Sequence, residues 1–81
     1  MRNTIIIAGH GKLAVSIMEG MNRYLDNYRV DSLDNLDKYA PESLIIVHIG
    51  SGRELPRILE YCGQNRVPLV QGATGITGSS K

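Results

Sequence analysis

The chain has 81 residues, of which 42% are hydrophobic and 21% charged, and its formal net charge is +1. A chain of this length and composition predicts one small globular domain, and its near-neutral charge gives no electrostatic case for nucleic-acid binding. Because Cys62 is the single cysteine and no cysteine–histidine cluster has zinc-site spacing, we expect neither an internal disulfide nor a metal site.

The first predicted strand covers residues 3–8, a continuous β-branched stretch typical of a strand buried on both faces of a parallel sheet. Apolar residues then recur at helical spacing and predict a helix over about residues 12–26. The positions expected to face the sheet are Leu13, Ala14, Ile17, Met18, Met21, Tyr24 and Leu25.

A short second strand is predicted over residues 28–31. Ser32 is a candidate cap for a short helix that Pro41 ends. The residues of this helix expected to point inward are Leu33, Leu36 and Ala40. Residues 43–49 are again continuously apolar except for His48, which predicts another buried strand.

A glycine loop over residues 50–52 precedes a second long helix. Its apolar positions, spaced for one helix face, are Leu55, Ile58, Leu59 and Cys62. We expect Cys62 to behave as a small buried hydrophobic residue. Residues 68–71 predict a last short strand, and residues 72–78 are turn-forming.

Strands that alternate with helices at this spacing predict βαβ units. We therefore expect an α/β fold: a small open parallel sheet of about four strands in the order 2-1-3-4, with helices on both faces. Residues 1–81 are interpreted as one domain, with 76–81 as a tail or as the start of a connection to a further domain. Support from that domain or from a homo-oligomer is expected, because so small a core is marginal alone.

Membrane attachment and secretion are not expected. The longest apolar run is too short to cross a bilayer, and the N-terminus carries no secretory signal. Together with the lone thiol, these features predict a cytoplasmic protein.

The turn after the first strand, Gly9-His10-Gly11-Lys12-Leu13-Ala14, follows the pattern G-x-G-x-x-A. Between a buried strand and a helix, this pattern is typical of Rossmann-like dinucleotide sites. The glycines allow close approach to a pyrophosphate, and the helix N-terminus stabilises its charge, as Lys12 would also do. The alternatives are a glycine turn that only joins strand to helix and a solvated Lys12.

Asp31 follows this turn by about 20 residues, which makes it a candidate acceptor for the adenosine ribose hydroxyls. The alternative is a carboxylate that begins a helix-capping loop. Ser32 after Asp31 favours NAD, whereas Lys12 or Arg29 could hold the 2′-phosphate of NADP. His48 is interpreted as a core or strand-end histidine bonded to backbone, with a role near the cofactor as the second possibility.

Glycine turns also follow the third and fourth predicted strands, at Gly50-Ser51-Gly52 and Gly72-Ala73-Thr74-Gly75. Ligands of open α/β sheets bind beyond the carboxyl ends of the strands. The three glycine turns therefore predict a single crevice at one sheet edge, and His10 is expected to face it.

Residues 44–52, 59–62 and 67–75 resemble the cofactor domain of the dihydrodipicolinate reductase family, and residues 9–13 are similar to its glycine-rich turn. The resemblance implies that reduced NAD or NADP is the hydride donor, in the diaminopimelate–lysine biosynthetic pathway. It also implies that residues 9–13 hold the pyrophosphate, that Gly50 and Ser51 lie along the cofactor, and that the turn beginning at Gly72 contacts the nicotinamide.

Two departures from the family pattern stand out. His48-Ile49-Gly50 replaces an Asp-Phe-Thr/Ser loop, and Ala73 replaces the first Thr before Thr74. The family's substrate domain, which supplies the catalytic acid and the substrate clamp, has no counterpart in residues 1–81, so we assign no catalytic residue here. The alternatives are a freestanding, non-catalytic nucleotide-binding or interaction module and another Rossmann-type reductase or ligand-sensing domain.

Overall fold

A computed structural model describes residues 2–9, 11–50 and 52–72. Within these ranges the main elements are β1 (Thr4–Ala8), α1 (Gly11–Tyr24), β2 (Arg29–Ser32), β3 (Leu44–Ile49), α2 (Leu55–Asn65) and β4 (Leu69–Gly72). Short 3₁₀ helices occupy Leu33–Lys38, Pro41–Ser43 and Gly52–Glu54. Every predicted strand and both long helices are therefore present, with bounds shifted by one or two residues. None of the described helices has the length and hydrophobicity to span a membrane.

The four strands form one parallel sheet in the order β2-β1-β3-β4, as predicted. The chain moves along the sheet in one direction from β1 to β2, and then in the opposite direction from β2 past β1 to β3 and on to β4. Because right-handed crossovers in opposite directions pass over opposite faces, α1 lies on one face, and Leu33–Lys38 and α2 lie on the other. The sheet is thus covered on both sides, which explains why β1 is buried throughout.

Each face of the sheet has its own core. On the α2 side the buried residues are Ile6, Ala8, Leu44, Ile46, Ile58, Cys62 and Val67. On the α1 side they are Ile5, Ile7, Ala14, Val30 and Ile49. Neighbouring residues of β1 and β3 alternate between the two cores, as the two-residue period of a strand requires.

Three of the apolar helix positions expected to face the sheet are exposed instead. Tyr24 is 78% exposed, and Leu13 and Leu59 are each 52% exposed. Their predicted inward orientation is wrong. The apolar residues of each helix form a stripe along one face, and a sheet of four strands contacts only the centre of that stripe. That centre lies at Ala14 in α1 and at Ile58 in α2, whereas the stripe edges extend past the sheet.

The connection after β2 also differs from the prediction. Leu33–Lys38 consists of two 3₁₀ turns joined by a kink at Asn35. Ser32 precedes it but its side chain makes no capping hydrogen bond, and Ala40 is exposed. A 3₁₀ helix has three residues per turn, so positions 33, 36 and 39 line up along one side. Tyr39 consequently packs against the core beside Leu33 and Leu36.

Arg2 joins three segments at the amino ends of the strands. Its Nη1 donates hydrogen bonds to the carbonyl oxygens of Pro41 at 3.1 Å and Leu44 at 2.7 Å. Its Nη2 donates to the carbonyl oxygen of Arg66 at 2.8 Å, just beyond the end of α2. One guanidinium therefore links β1, β3 and the α2–β4 connection through their backbones.

Candidate functional site

The carboxyl ends of β1, β3 and β4 lie side by side at one edge of the sheet. Ala8 pairs with His48, and Ile49 pairs with Gly72. Gly9 and Gly50 directly follow β1 and β3, so Gly9, Gly50 and Gly72 belong to one edge, as the sequence predicted. The position between β1 and β3 is also where the strand order reverses, which is the usual ligand crevice of open parallel sheets.

Gly9 is held in close contact with the neighbouring strand end. A Cβ atom at this position would lie 2.7 Å from the carbonyl oxygen of Ile49 and 3.4 Å from Cβ of Ala14. Ala14 is buried, and its small side chain allows α1 to approach the sheet. The glycine and the alanine of the G-x-G-x-x-A pattern thus serve the close strand–helix packing that brings the N-terminus of α1 to the sheet edge.

At Gly11 and Gly50 the backbone conformation requires glycine, and close packing does not. Their φ angles are +85° and +93°, in the region that favours glycine, and no atom lies within 4 Å of a Cβ added at either position. Both residues are exposed, so backbone conformation and not space selects glycine there. The two turns therefore leave open space next to the strand ends.

The N-terminus of α1 is suited to an anion. The helix begins at Gly11, has no acidic residue in its first turn, and carries Lys12 exposed beside that turn. A hollow of 440 Å³ next to it is lined by Gly11, Lys12, Val15 and Ser16. The free N–H groups, the helix dipole and the lysine all favour negative charge at this point. Leu13, the remaining predicted contact of this turn that lies in the described residues, is exposed.

The Asp31 carboxylate organises the loop that follows β2. Its Oδ1 accepts hydrogen bonds from the Ser32 N–H and from Asn35 Nδ2, both at 2.7 Å, and its Oδ2 accepts one from the Tyr39 hydroxyl. The Tyr39 and Asn35 hydrogen bonds lower the pKa of Asp31, and in return the carboxylate raises the pKa of Tyr39. Arg29 lies 5.8 Å from the centre of the Tyr39 ring.

Asp31 stands at the start of the loop, as in the alternative of a carboxylate that begins a helix-capping loop, but its hydrogen bonds go to Ser32, Asn35 and Tyr39 and none of them caps the helix. A ribose hydroxyl would share the carboxylate with three internal donors, so ribose binding stays a prediction. The hydrogen bonds of Asn35 and Tyr39 to Asp31 were not predicted from the sequence. Asn35 and Tyr39 lie four and eight residues after Asp31, and the path of the loop that brings them back to the carboxylate has no sequence pattern of its own.

His48 is 5% exposed and lies on the α2 side of β3, between Ala8 of β1 and Gln71 of β4. Its burial agrees with the interpretation as a strand-end core residue. Its imidazole makes no hydrogen bond to any other residue that the structure describes, so the expected bond to backbone is not found there. The predicted site residues His10, Ser51, Ala73 and Thr74, and the turn and tail of residues 73–81, lie outside the described residues.

The described part of this edge holds no catalytic acid–base pair. Cys62 is buried on α2, and burial raises the pKa of its thiol, which disfavours a nucleophilic thiolate. No group of His, Cys, Asp and Glu among the described residues could hold a metal ion. What the described part of the edge offers is backbone N–H groups, open glycine turns and the exposed cation of Lys12.

A larger hollow lies at the opposite edge of the sheet, away from the glycine turns. It has a volume of 510 Å³ and is lined by Asn3, Thr4, Asp26, Asn27, Tyr28, Arg29, Tyr39 and Ser43. These residues are at or next to the amino ends of the strands, where open parallel sheets do not bind their ligands. The carboxyl edge is therefore the better candidate despite its shallower hollow.

Fold and site together define a small open parallel α/β domain with a glycine-lined edge at the switch point between β1 and β3. Comparison of the chain with protein-family models, with curated proteins and with solved structures gave no match.

Proposed function

We propose that this domain binds the pyrophosphate of a nicotinamide dinucleotide, NAD or NADP, at the N-terminus of α1. The observation that carries the proposal is the 2.7 Å distance between a Cβ added at Gly9 and the Ile49 carbonyl oxygen. This packing brings the first turn of α1, free of acidic residues, to the switch point of the sheet. A packing role alone would not account for the exposed, left-handed Gly11 and the exposed Lys12 beside it.

The described residues fit such a cofactor. Backbone N–H groups of the first turn of α1 and the Lys12 ammonium would bind the phosphates, and Gly50 would leave room for the cofactor to extend along the edge. Bound NADH or NADPH would supply the hydride for reduction. The protein's part is to bind and orient the cofactor, since no described residue is placed to donate or accept a proton.

The particular oxidoreductase that we propose is one similar to dihydrodipicolinate reductase, acting in diaminopimelate–lysine biosynthesis. Support for it comes from the residue patterns of β3, the end of α2 and β4, together with the glycine turn before α1. In this proposal residues 1–81 provide the cofactor domain, and a substrate domain provides the catalytic acid.

One observation favours a second candidate, a non-catalytic nucleotide-binding module. The Asp31 carboxylate already accepts three internal hydrogen bonds, which weakens its capacity to select a ribose. A module that holds nucleotides mainly through phosphate would bind ADP about as well as NADH. A dinucleotide domain would bind NADH or NADPH more tightly than ADP, because the nicotinamide half adds contacts near Gly50 and Gly72.

Isothermal titration with NADH, NADPH and ADP tests both candidates. We expect NADH or NADPH to bind and to raise the melting temperature, because a ligand that binds the native state stabilises it. Lys12→Ala should weaken binding by about tenfold, since a hydrogen bond to a charged group contributes about 1.5–3 kcal/mol in favourable geometry. Arg23→Ala is the matched control, because it removes one charge at the other end of α1.

Three results of these titrations would each lead to a different conclusion. Equal loss of affinity in both variants would indicate a general charge effect and would contradict a phosphate site at Lys12. No binding of any of the three ligands at millimolar concentration would refute the proposal. Equal affinities for ADP and NADH would leave the non-catalytic module as the better candidate.

A further inference from the structure

One edge of the sheet, along β4, has no strand beside it among the described residues. The strand order places β3 on one side of β4 and no described strand on the other. In a parallel pair, the N–H and C=O of a strand residue both point to the same side, and successive residues alternate. Because Ile46 N–H donates to Pro68 C=O at 3.0 Å, residues 68, 70 and 72 point to β3. The backbone N–H and C=O groups of Leu69 and Gln71 therefore point to the free edge.

The α1 side of the sheet is incompletely covered at the same place. Val70 pairs with Val47, so its side chain lies on the α1 side, where Val47 and Ile45 are half-buried. The helix α1 packs over β1 and β2, and Val70 is left 51% exposed. An exposed apolar side chain thus stands directly beside an open strand edge.

The two edges of the sheet differ in charge. The strand β2 carries Arg29 and Asp31, which discourage association with another strand. By contrast, the sequence has no charged residue between Arg66 and Lys81, so β4 has no such protection. With a net charge of only +1, two copies of the chain also repel each other weakly.

We propose that β4 pairs with β4 of a second copy of this chain, antiparallel and about a two-fold axis at Val70. This register places Leu69 of each copy opposite Gln71 of the other. The N–H and C=O groups of both residues, which point outward from each sheet, then all become hydrogen-bonded. Val70 then faces Val70 of the second copy in a non-hydrogen-bonded pair, where side chains approach most closely. Two four-stranded sheets become one, and the exposed valines cover each other.

Sedimentation equilibrium of the full chain, from micromolar to millimolar concentration, tests this dimer. Val70→Lys places like charges at the two-fold axis and should weaken dimerisation by more than about tenfold. Leu59→Lys is the matched control, because Leu59 is 52% exposed but lies on α2, and it should leave dimerisation unchanged.

A second variant tests the backbone pairing itself. Gln71→Pro removes an N–H that points away from β3, so it should abolish dimerisation while the β3–β4 pairing and the circular dichroism spectrum are kept. In hydrogen exchange, the Leu69 and Gln71 amides should gain protection with concentration, whereas the Val70 amide should be protected throughout.

A monomer at millimolar concentration would overturn the proposal. A dimer that Val70→Lys and Gln71→Pro leave intact would also overturn it, because the interface would then lie elsewhere. If a variant unfolds, hydrogen exchange of the unmodified chain decides. Protection of the Leu69 and Gln71 amides that does not change with protein concentration would contradict the pairing.

Discussion

Gly9 and Ile49 approach each other so closely that a Cβ atom at position 9 would lie 2.7 Å from the Ile49 carbonyl oxygen. Gly9→Ala must therefore push the β1–α1 turn away from β3, and we expect a loss of about 1–3 kcal/mol in the free energy of unfolding. Cofactor affinity should fall as well, since the N-terminus of α1 moves with the turn. Urea denaturation and titration with NADH measure the two effects.

The same substitution at Gly20 provides the control. Gly20 lies inside α1, and no atom would lie within 4 Å of its added Cβ. We expect Gly20→Ala to stabilise the protein by about 0.5–1 kcal/mol, because alanine restricts the unfolded chain and favours helix. Equal effects at positions 9 and 20 would contradict the packing role of Gly9.

Arg66 ends α2 in the left-handed conformation, with φ 57° and ψ 43°. The N–H groups of Arg66 and Val67 both donate to the Cys62 carbonyl oxygen and close the helix end. A side chain is unfavourable in this conformation, so we expect Arg66→Gly to stabilise the protein by about 0.5–1 kcal/mol. The Arg2 hydrogen bond is kept, since it uses the Arg66 carbonyl.

Gln64→Gly, inside α2 two residues earlier, should have the opposite effect and destabilise by about 0.5–1 kcal/mol. Thermal unfolding of both variants checks the sign. A loss of stability in Arg66→Gly would show that its side chain contributes more than the strained backbone costs.

Arg2 contacts three backbone carbonyls, and Arg2→Met keeps most of its apolar stem while removing those hydrogen bonds. We expect a loss of about 1–2 kcal/mol, below the full value for charged hydrogen bonds because the side chain is partly exposed. Arg23→Met removes a charge from the exposed end of α1 and should change stability by less than about 0.5 kcal/mol. Urea denaturation of the two variants gives the comparison, and similar losses would contradict the bridging role of Arg2.

The helix positions were predictable because strong local patterns in the sequence mark the strands and helices. The strand order was predictable because a general rule, the right-handedness of crossovers, then arranges those elements. The β-branched runs at β1 and β3 and the apolar periodicity of α1 and α2 are local, and crossover handedness then fixes the sheet. The same rules predicted that Gly9, Gly50 and Gly72 share an edge.

Features that depend on how far the sheet extends, or on partners distant in sequence, were not predictable. Leu13 and Leu59 match the helical period but project beyond a four-stranded sheet. The hydrogen bond from Tyr39 to Asp31, eight residues earlier, depends on the path of the kinked 3₁₀ segment between them, and no local pattern distinguishes a 3₁₀ helix from an α-helix. Arg2 contacts residues that lie 39 to 64 positions later in the sequence, and no local pattern reveals contacts over such a separation.

The hydrogen bonds between Asp31 and its partners make stability depend on pH in a defined direction. The folded-state pKa of Asp31 is lowered, chiefly by the Tyr39 hydroxyl, so its contribution is present above the unfolded-state pKa, about 3.9, and is lost as the pH falls through the folded-state value. Tyr39 has a raised pKa, so its contribution is present below about pH 10 and is lost as the pH rises through the folded-state value.

Tyr39→Phe should therefore raise the pKa of Asp31, measured by carboxyl NMR titration, because the largest cause of its lowering is removed. It should be less stable than the unmodified protein at pH 7, and this difference should shrink both below pH about 4 and above pH about 10. An unchanged Asp31 titration in Tyr39→Phe would show that Ser32 and Asn35 alone hold the carboxylate, and the loop after β2 would then not depend on the tyrosine.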